Sequence, residues 1–280
     1  MPSRYDDLER PPLDEAALRR ALVLPGSLWS DVQVVNSTPS TNALLASRVQ
    51  DAPAGSTRPD GLVVFAEHQT AGRGRLDRVW SAPARSGLAM SVLVRPPDVP
   101  PNRWSWIPLL AGLAVAAAVR REARVEAELK WPNDVMVADR KLGGLLVERI
   151  EPAPGSAVAI IGIGVNVSLR PNELPVPTAT SLAIENARTT DRSLLARAVL
   201  RNLEGLLTDW ARHGGDAEKG GLHTAYVKAC MTIGRRVSVE LPNAPPVVGT
   251  AVGVDSAGHL LVRSQGSQHT FSAGDILHLR

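Results

Sequence analysis

The chain has 280 residues, 44% of them hydrophobic and 21% charged, with a formal net charge of +3. These proportions exclude a disordered chain and leave room for one large domain plus a small one. Near-balanced charge, with two Phe and two Tyr in all, supplies neither the basic field nor the stacking platform of a nucleic-acid-binding module. The single cysteine, Cys230, excludes an intrachain disulfide framework and any multi-cysteine metal site, and reads as a small core residue.

Residues 1–12 are charged and proline-bearing, which predicts a disordered, irregular tail and does not match a signal peptide. Leu13–Leu24 has the spacing of an amphipathic helix, with Asp14 near its start and Pro25-Gly26 ending it. Ser40 is placed to cap a helix carrying Leu44, Leu45 and Val49. Gly61–Glu67 and Leu88–Arg95 read as strands. The uncharged run Trp104–Val119 is interrupted by Ser105 and Pro108. It is too short for a confident membrane span and fits a buried, alanine-rich helix, so a cytoplasmic protein with no membrane partner is expected.

Within Met136–Glu148 a polar turn at Asp139-Arg140 separates two apolar runs, as in a hairpin, and Ala157–Val167 is a Val- and Ile-rich strand. Thr190 or Asp191 can cap a helix whose Leu194, Leu195, Ala198, Val199, Leu203, Leu206, Leu207 and Trp210 recur at helical spacing. Beyond Gly220-Gly221 the texture changes to short runs (Val237–Leu241, Val247–Val254, Leu260–Arg263, Thr270–Ser272, Ile276–Leu279) separated by turn signals. The expected architecture is α+β: residues 1–30 an extension, 31–231 a domain on a mixed or antiparallel sheet, and 232–280 a small β-barrel.

The chemistry concentrates in Gly72-Arg73-Gly74-Arg75-Leu76-Asp77-Arg78-Val79-Trp80. Three guanidinium forks suit carboxylate and phosphate oxygens, and the glycines let the backbone approach a ligand. Alone, the stretch is equally a solvated basic loop. Further motifs flank it: Ser40-Thr41-Asn42 and Ala66-Glu67-His68-Gln69-Thr70-Ala71 before it, then Lys130-Trp131-Pro132-Asn133-Asp134, Lys141-Leu142-Gly143-Gly144-Leu145-Leu146 and Gly162-Ile163-Gly164-Val165-Asn166-Val167. In this order, over roughly residues 34–280, the set resembles the biotin protein ligases, which attach biotin to a lysine of carboxylase carrier proteins.

The resemblance implies a class II synthetase-like catalytic domain followed by an SH3-like barrel, and a two-step reaction. Biotin's carboxylate attacks the α-phosphate of ATP, giving biotinyl-5′-AMP and pyrophosphate, and a carrier lysine then displaces AMP. Biotin contacts are implied at Ser40, Thr41, Asn42, Gln69, Gly72, Arg73, Gly74, Arg75, Lys141, Gly144 and Gly162, with Gly164 serving alongside Gly162. Nucleotide contacts are implied at Arg75, Arg78, Trp80, Asn133, Lys141 and Asn166. The expected catalytic groups are Lys141, as the electrostatic catalyst, Arg75, which retains the intermediate, and Asp134, which positions or helps deprotonate the carrier lysine. Lys130 belongs to the same edge. Each has a plainer alternative: Ser40 as an N-cap, Trp80 as core filling, Asn133-Asp134 as a capped turn, Asn166 as a strand-end polar residue.

Asp77 stands where the family pattern carries a glycine, which bears on nucleotide affinity. ATP would bring Mg²⁺, and no protein metal ligands are named because His, Asp and Glu form no ligand-like motif. The implied partner is the biotin carboxyl carrier domain of acetyl- or acyl-CoA carboxylase or of pyruvate carboxylase. About 30 residues precede the catalytic region, too few for the winged-helix domain that makes some relatives repressors, so no repressor activity is expected. The alternatives are a lipoate ligase, which shares fold and adenylate chemistry, and, in a different class, a nucleic-acid-binding module.

Overall fold

A computed structural model describes residues 9–51, 60–76, 78–96, 98–241 and 244–279; Asp77 and the first eight residues lie outside this set. Asp14 accepts a hydrogen bond from the Ala17 amide and opens α1 (Glu15–Leu22), which buries Leu18 and Leu22. β1 (Asp31–Val35) follows, then α2 (Thr41–Gln50), capped by Ser40. β2 (Leu62–Ala66) leads to a two-stranded hairpin, β3 (Gly72–Arg73) and β4 (Val79–Trp80), and then to β5 (Gly87–Val94). The apolar α3 (Ile107–Ala118) precedes β6 (Glu128–Lys130), β7 (Asp134–Val137), β8 (Arg140–Ile150) and β9 (Val158–Asn166). Two helices close this part, α4 (Arg192–Arg212), capped by Asp191, and α5 (Leu222–Ala229).

Seven strands form one sheet in the order β1-β2-β5-β9-β8-β7-β6. β1 and β2 run parallel and every other neighbouring pair runs antiparallel, so the sheet is mixed. One face carries α1, α3 and α4 over the main apolar core. On the other face α2 covers only part of the sheet, packing Leu45 and Val49 against Val64, Leu93, Val158 and Ile160. The uncovered remainder of that face is the floor of the site. The last strands, β10 (Arg236–Leu241), β11 (Ala244–Val254), β12 (Leu260–Ser264), β13 (Ser267–Phe271) and β14 (Asp275–His278), form a separate antiparallel SH3-like sheet ordered β13-β12-β11-β10-β14.

Several expectations need correction. The helix expected over Trp104–Val119 begins as a 3₁₀ turn at Pro101–Trp106 and is α-helical only from Ile107, because proline is tolerated only in a first helical turn and Pro108 therefore marks a new start. β6 and most of β13 have too few apolar residues to be seen as strands. Cys230, at the C-cap of α5, is buried as a small core residue. The described end of the expected irregular tail is held in place. Arg10 bonds Glu173 at 2.5 Å and the Ser168 carbonyl, and a buried Arg192–Glu67 pair takes the Pro11 carbonyl and the Leu13 amide. Among the described residues no helix is long and apolar enough to cross a membrane.

Candidate active site

The site floor is set by strand register. Directly paired residues in a sheet point to the same face, so Gly164 sits beside Gly144, while Gly162 lies between Leu146 and Ser91. The glycines are required by what lies on them. A Cβ on Gly162 would stand 2.4 Å from Asn42 Oδ1, and one on Gly164 would stand 2.7 Å from the Trp80 indole. The sheet backbone therefore forms a flat surface on which Asn42 and Trp80 rest.

At one end of the floor, the N-terminus of α2 brings Ser40, Thr41 and Asn42, all buried, against Gln69. Ser40 caps the helix through a long 3.5 Å bond to the Ala43 amide. Gln69 Oε1 accepts from both the Thr41 amide (2.8 Å) and its hydroxyl (3.1 Å). Ser91 Oγ lies 2.6 Å from both Thr41 Oγ1 and Asn42 Oδ1, and its one proton can serve only one of them at a time. The Asn42 amide donates to the Leu146 carbonyl and, at 2.6 Å, to Glu148.

Four cations along the rim, Arg73, Arg75, Arg78 and Lys141, have internal partners. Arg73 Nη2 is 3.1 Å from both carboxylate oxygens of Glu148. Arg75 donates to Asn133 Oδ1 at 3.0 Å, and Asn133 is itself fixed by bonding the Leu145 carbonyl. Arg78 pairs with Asp275 at the start of β14, so the C-terminal sheet reaches the site. Lys141 Nζ is 2.6 Å from Asp134 Oδ1 and packs over Gly144, where a Cβ would stand 3.2 Å from Nζ. A β-bulge between β7 and β8 shifts the register next to Lys141, and the Thr178 carbonyl and Thr180 amide hold its backbone.

Burial pulls Arg75 below the usual arginine value, against the opposing pull of Asp275 and Asp134. Lys130 is lowered in the same way, first by burial and then by the neighbouring Lys141, with Asp134 opposing. Behind Lys130, Trp131 is buried, its ring N–H bonded to the Gly258 carbonyl and its amide to Thr232 Oγ1, which ties the KWPND turn to the C-terminal sheet. Asn166 is buried with its amide on the Thr180 carbonyl.

Together these elements enclose a cleft of about 690 Å³. It is lined by every site residue expected from the sequence except Gly72. Gly72 is buried in the β3–β4 hairpin, where a Cβ would meet the Trp80 carbonyl at 2.4 Å, so it shapes the loop from behind. Asp275, Ile276 and Leu277 also line the cleft, and nothing local in the sequence signals them. Chemically, the cleft offers a polar pocket at one end, an indole over bare backbone at the other, and a dense set of cations between, which suits a ligand with a carboxylate or phosphate at its centre. Among the described residues no three His, Cys, Asp or Glu side chains gather as a metal cage.

Two family models match the chain, the Biotin/lipoate A/B protein ligase family over residues 34–166 and the Biotin protein ligase C terminal domain over residues 232–279. Over 277 residues, 98% of each chain, the sequence is 42% identical to the biotin–[acetyl-CoA-carboxylase] ligase of Mycobacterium tuberculosis. The chain belongs to the biotin protein ligase family. Solved biotin protein ligases share its fold. The Aquifex aeolicus enzyme in complex with biotin and ATP is 25% identical, with a TM-score of 0.69 over 90% of this chain and 100% of that one. The Leishmania major enzyme with biotinyl-5-AMP is 27% identical, with a TM-score of 0.54 over 87% and 99%.

Proposed function

We propose that this ATP-dependent biotin protein ligase transfers biotin to a lysine of the carrier domain of acetyl-CoA carboxylase in the cytoplasm, with acyl-CoA and pyruvate carboxylases as further acceptors of the same chemistry. The observation that carries the assignment of roles is the convergence of Arg75, Lys141, Asn133 and Asp134 between the Ser40–Asn42 pocket and the Trp80 platform.

In the first step a biotin carboxylate oxygen attacks the α-phosphorus and the bond to pyrophosphate breaks. Two anions must meet, and Arg73, Arg75 and Lys141, all on the cleft wall, offset their repulsion, with Lys141 as the principal electrostatic catalyst. Biotin's ring lies at the α2 end against Thr41, Asn42 and Gln69, with Gly144 and Gly162 beneath it. The adenylate lies toward Trp80, Gly164 and Asn166, with Arg78 and Asn133 alongside. In the second step the carrier lysine's nitrogen attacks the biotinyl carbonyl, the carbonyl–phosphate oxygen bond breaks, and AMP leaves. A free lysine amine has a pKa near ~10.4, so its proton must be taken up as it attacks. Asp134 lines the cleft and receives or steers that proton. The arginine rim excludes water from the mixed anhydride until the acceptor arrives.

Biotin-dependent exchange of labelled pyrophosphate into ATP tests the first half-reaction directly, with lipoate in a parallel reaction. Exchange with biotin alone is expected. Exchange with lipoate alone, or with neither, would overturn the proposal.

A further inference from the structure

Glu148 is out of keeping with its surroundings. In the strand rows it stands beside Ile160, which stands beside Leu93, and both are fully buried members of the apolar cluster under α2. An apolar residue would complete that row, yet the position holds a carboxylate whose oxygens serve two motifs far apart in sequence. Oε2 accepts from Asn42 Nδ2 at 2.6 Å, and both oxygens face Arg73 Nη2 at 3.1 Å. Glu148 does not line the cleft, whereas Asn42, Arg73 and its strand neighbour Leu146 do.

Asn42 has both donors engaged, on Glu148 and Leu146, and its oxygen faces Ser91. That orientation is set by acceptors, with the carboxylate as the stronger of the two. Its Oδ1 also occupies the space above Gly162 that any side chain there would fill. A turned Asn42 amide would therefore disturb the cleft floor. The same carboxylate is the partner the structure gives to the Arg73 guanidinium at the start of the arginine loop.

We infer that Glu148 is a positioning residue for biotin, one carboxylate that fixes Asn42 in the ring pocket and Arg73 over the site of the biotin carboxylate. This rests on the biotin-ligase reading of the cleft. Glu148 acts on the biotin half of the site and leaves the nucleotide half untouched, since Arg75, Asn133 and Lys141 bond to other partners.

The test is steady-state adenylation kinetics of the full-length wild type, E148A, E148Q, R73A and E148A/R73A, with biotin and ATP varied separately. Expected are a roughly ten- to hundredfold rise in the biotin KM of E148A, an ATP KM within about twofold of wild type, and an intermediate E148Q, which keeps an acceptor for Asn42 but not the charge. The double variant should fall short of the product of the two single effects. E148Q keeps the side-chain volume, so it carries the test if E148A does not fold. With an active wild type, an unchanged biotin KM in E148Q, equal shifts in both KM values, or full multiplicativity would overturn the role of Glu148. A wild type that forms no biotinyl adenylate would overturn the underlying reading instead.

Discussion

The cleft floor and its rim are built differently. Along the floor, Gly144, Gly162 and Gly164 present bare backbone whose position follows from the register of β8 and β9, so the ligand surface is as rigid as the sheet. Along the rim, Arg73, Arg75 and Arg78 lie on a short hairpin, and their guanidinium groups pair with side chains from elsewhere, Glu148, Asn133 and Asp275. A rigid floor fixes where the ligand lies, while a rim held by two ion pairs and an arginine–amide bond can exchange those partners for a carboxylate or phosphate at little cost. Variants of the two regions should therefore fail in different ways, sterically on the floor and electrostatically on the rim.

The largest effect is expected at Lys141, the rim cation whose ammonium packs over Gly144 of the floor. Lys141→Ala should lower the adenylation rate by about 10²–10³-fold, the usual consequence of removing one electrostatic stabiliser, with thermal stability little changed. Single-turnover formation of biotinyl-AMP together with a melting curve measures both. Next, Gly162→Ala places a Cβ 2.4 Å from Asn42 Oδ1 and should cost about 1–3 kcal/mol of stability while weakening biotin binding, as read by denaturant melts and calorimetry.

A smaller effect comes from His278, whose ring burial, with Lys130 and Arg235 nearby, lowers its pKa from 6.5 to about 4. The folded state thus keeps this imidazole neutral where the unfolded chain would protonate it. Its contribution is complete above about pH 6.5 and is lost as the pH falls toward 4. The loss should be on the order of 1–2 kcal/mol, less than the full shift because the ring is half-exposed. His278→Gln should flatten the stability–pH curve over that window. The smallest effect belongs to the rim, where Arg78 is 64% exposed. Asp275→Asn should change stability by less than ~1 kcal/mol and act mainly on the ATP KM, increasingly so at low salt.

Much of the site is legible in the sequence because its parts are local. A glycine pair in a strand, an arginine–glycine loop and a proline turn each state their geometry within a few residues, and all but Gly72 reach the cleft wall. What could not be read depends on contacts between distant segments. Nothing around Glu148 announces that it will meet Asn42 and Arg73, 106 and 75 residues away, and nothing in β14 announces that Asp275 will meet Arg78. The same limit applies to the fold. Strands with alternating or continuous apolar runs were recognisable, but Glu128–Lys130 and Ser267–Phe271 become strands through their neighbours rather than their composition. Pro108 misled in a different way, since it looks like an interruption of one helix and in fact lies in the first turn of α3.

The central claim is that this cleft joins biotin to a carrier lysine with Lys141 at the reacting centre. Intact-mass spectrometry of a purified acetyl-CoA carboxylase carrier domain, incubated with the protein, biotin, ATP and Mg²⁺, tests it most directly. The account requires a gain of one biotinyl group on a single lysine with wild type, little or none with Lys141→Ala, and none when lipoate replaces biotin. Lipoyl transfer, or undiminished biotinylation by Lys141→Ala, would contradict it.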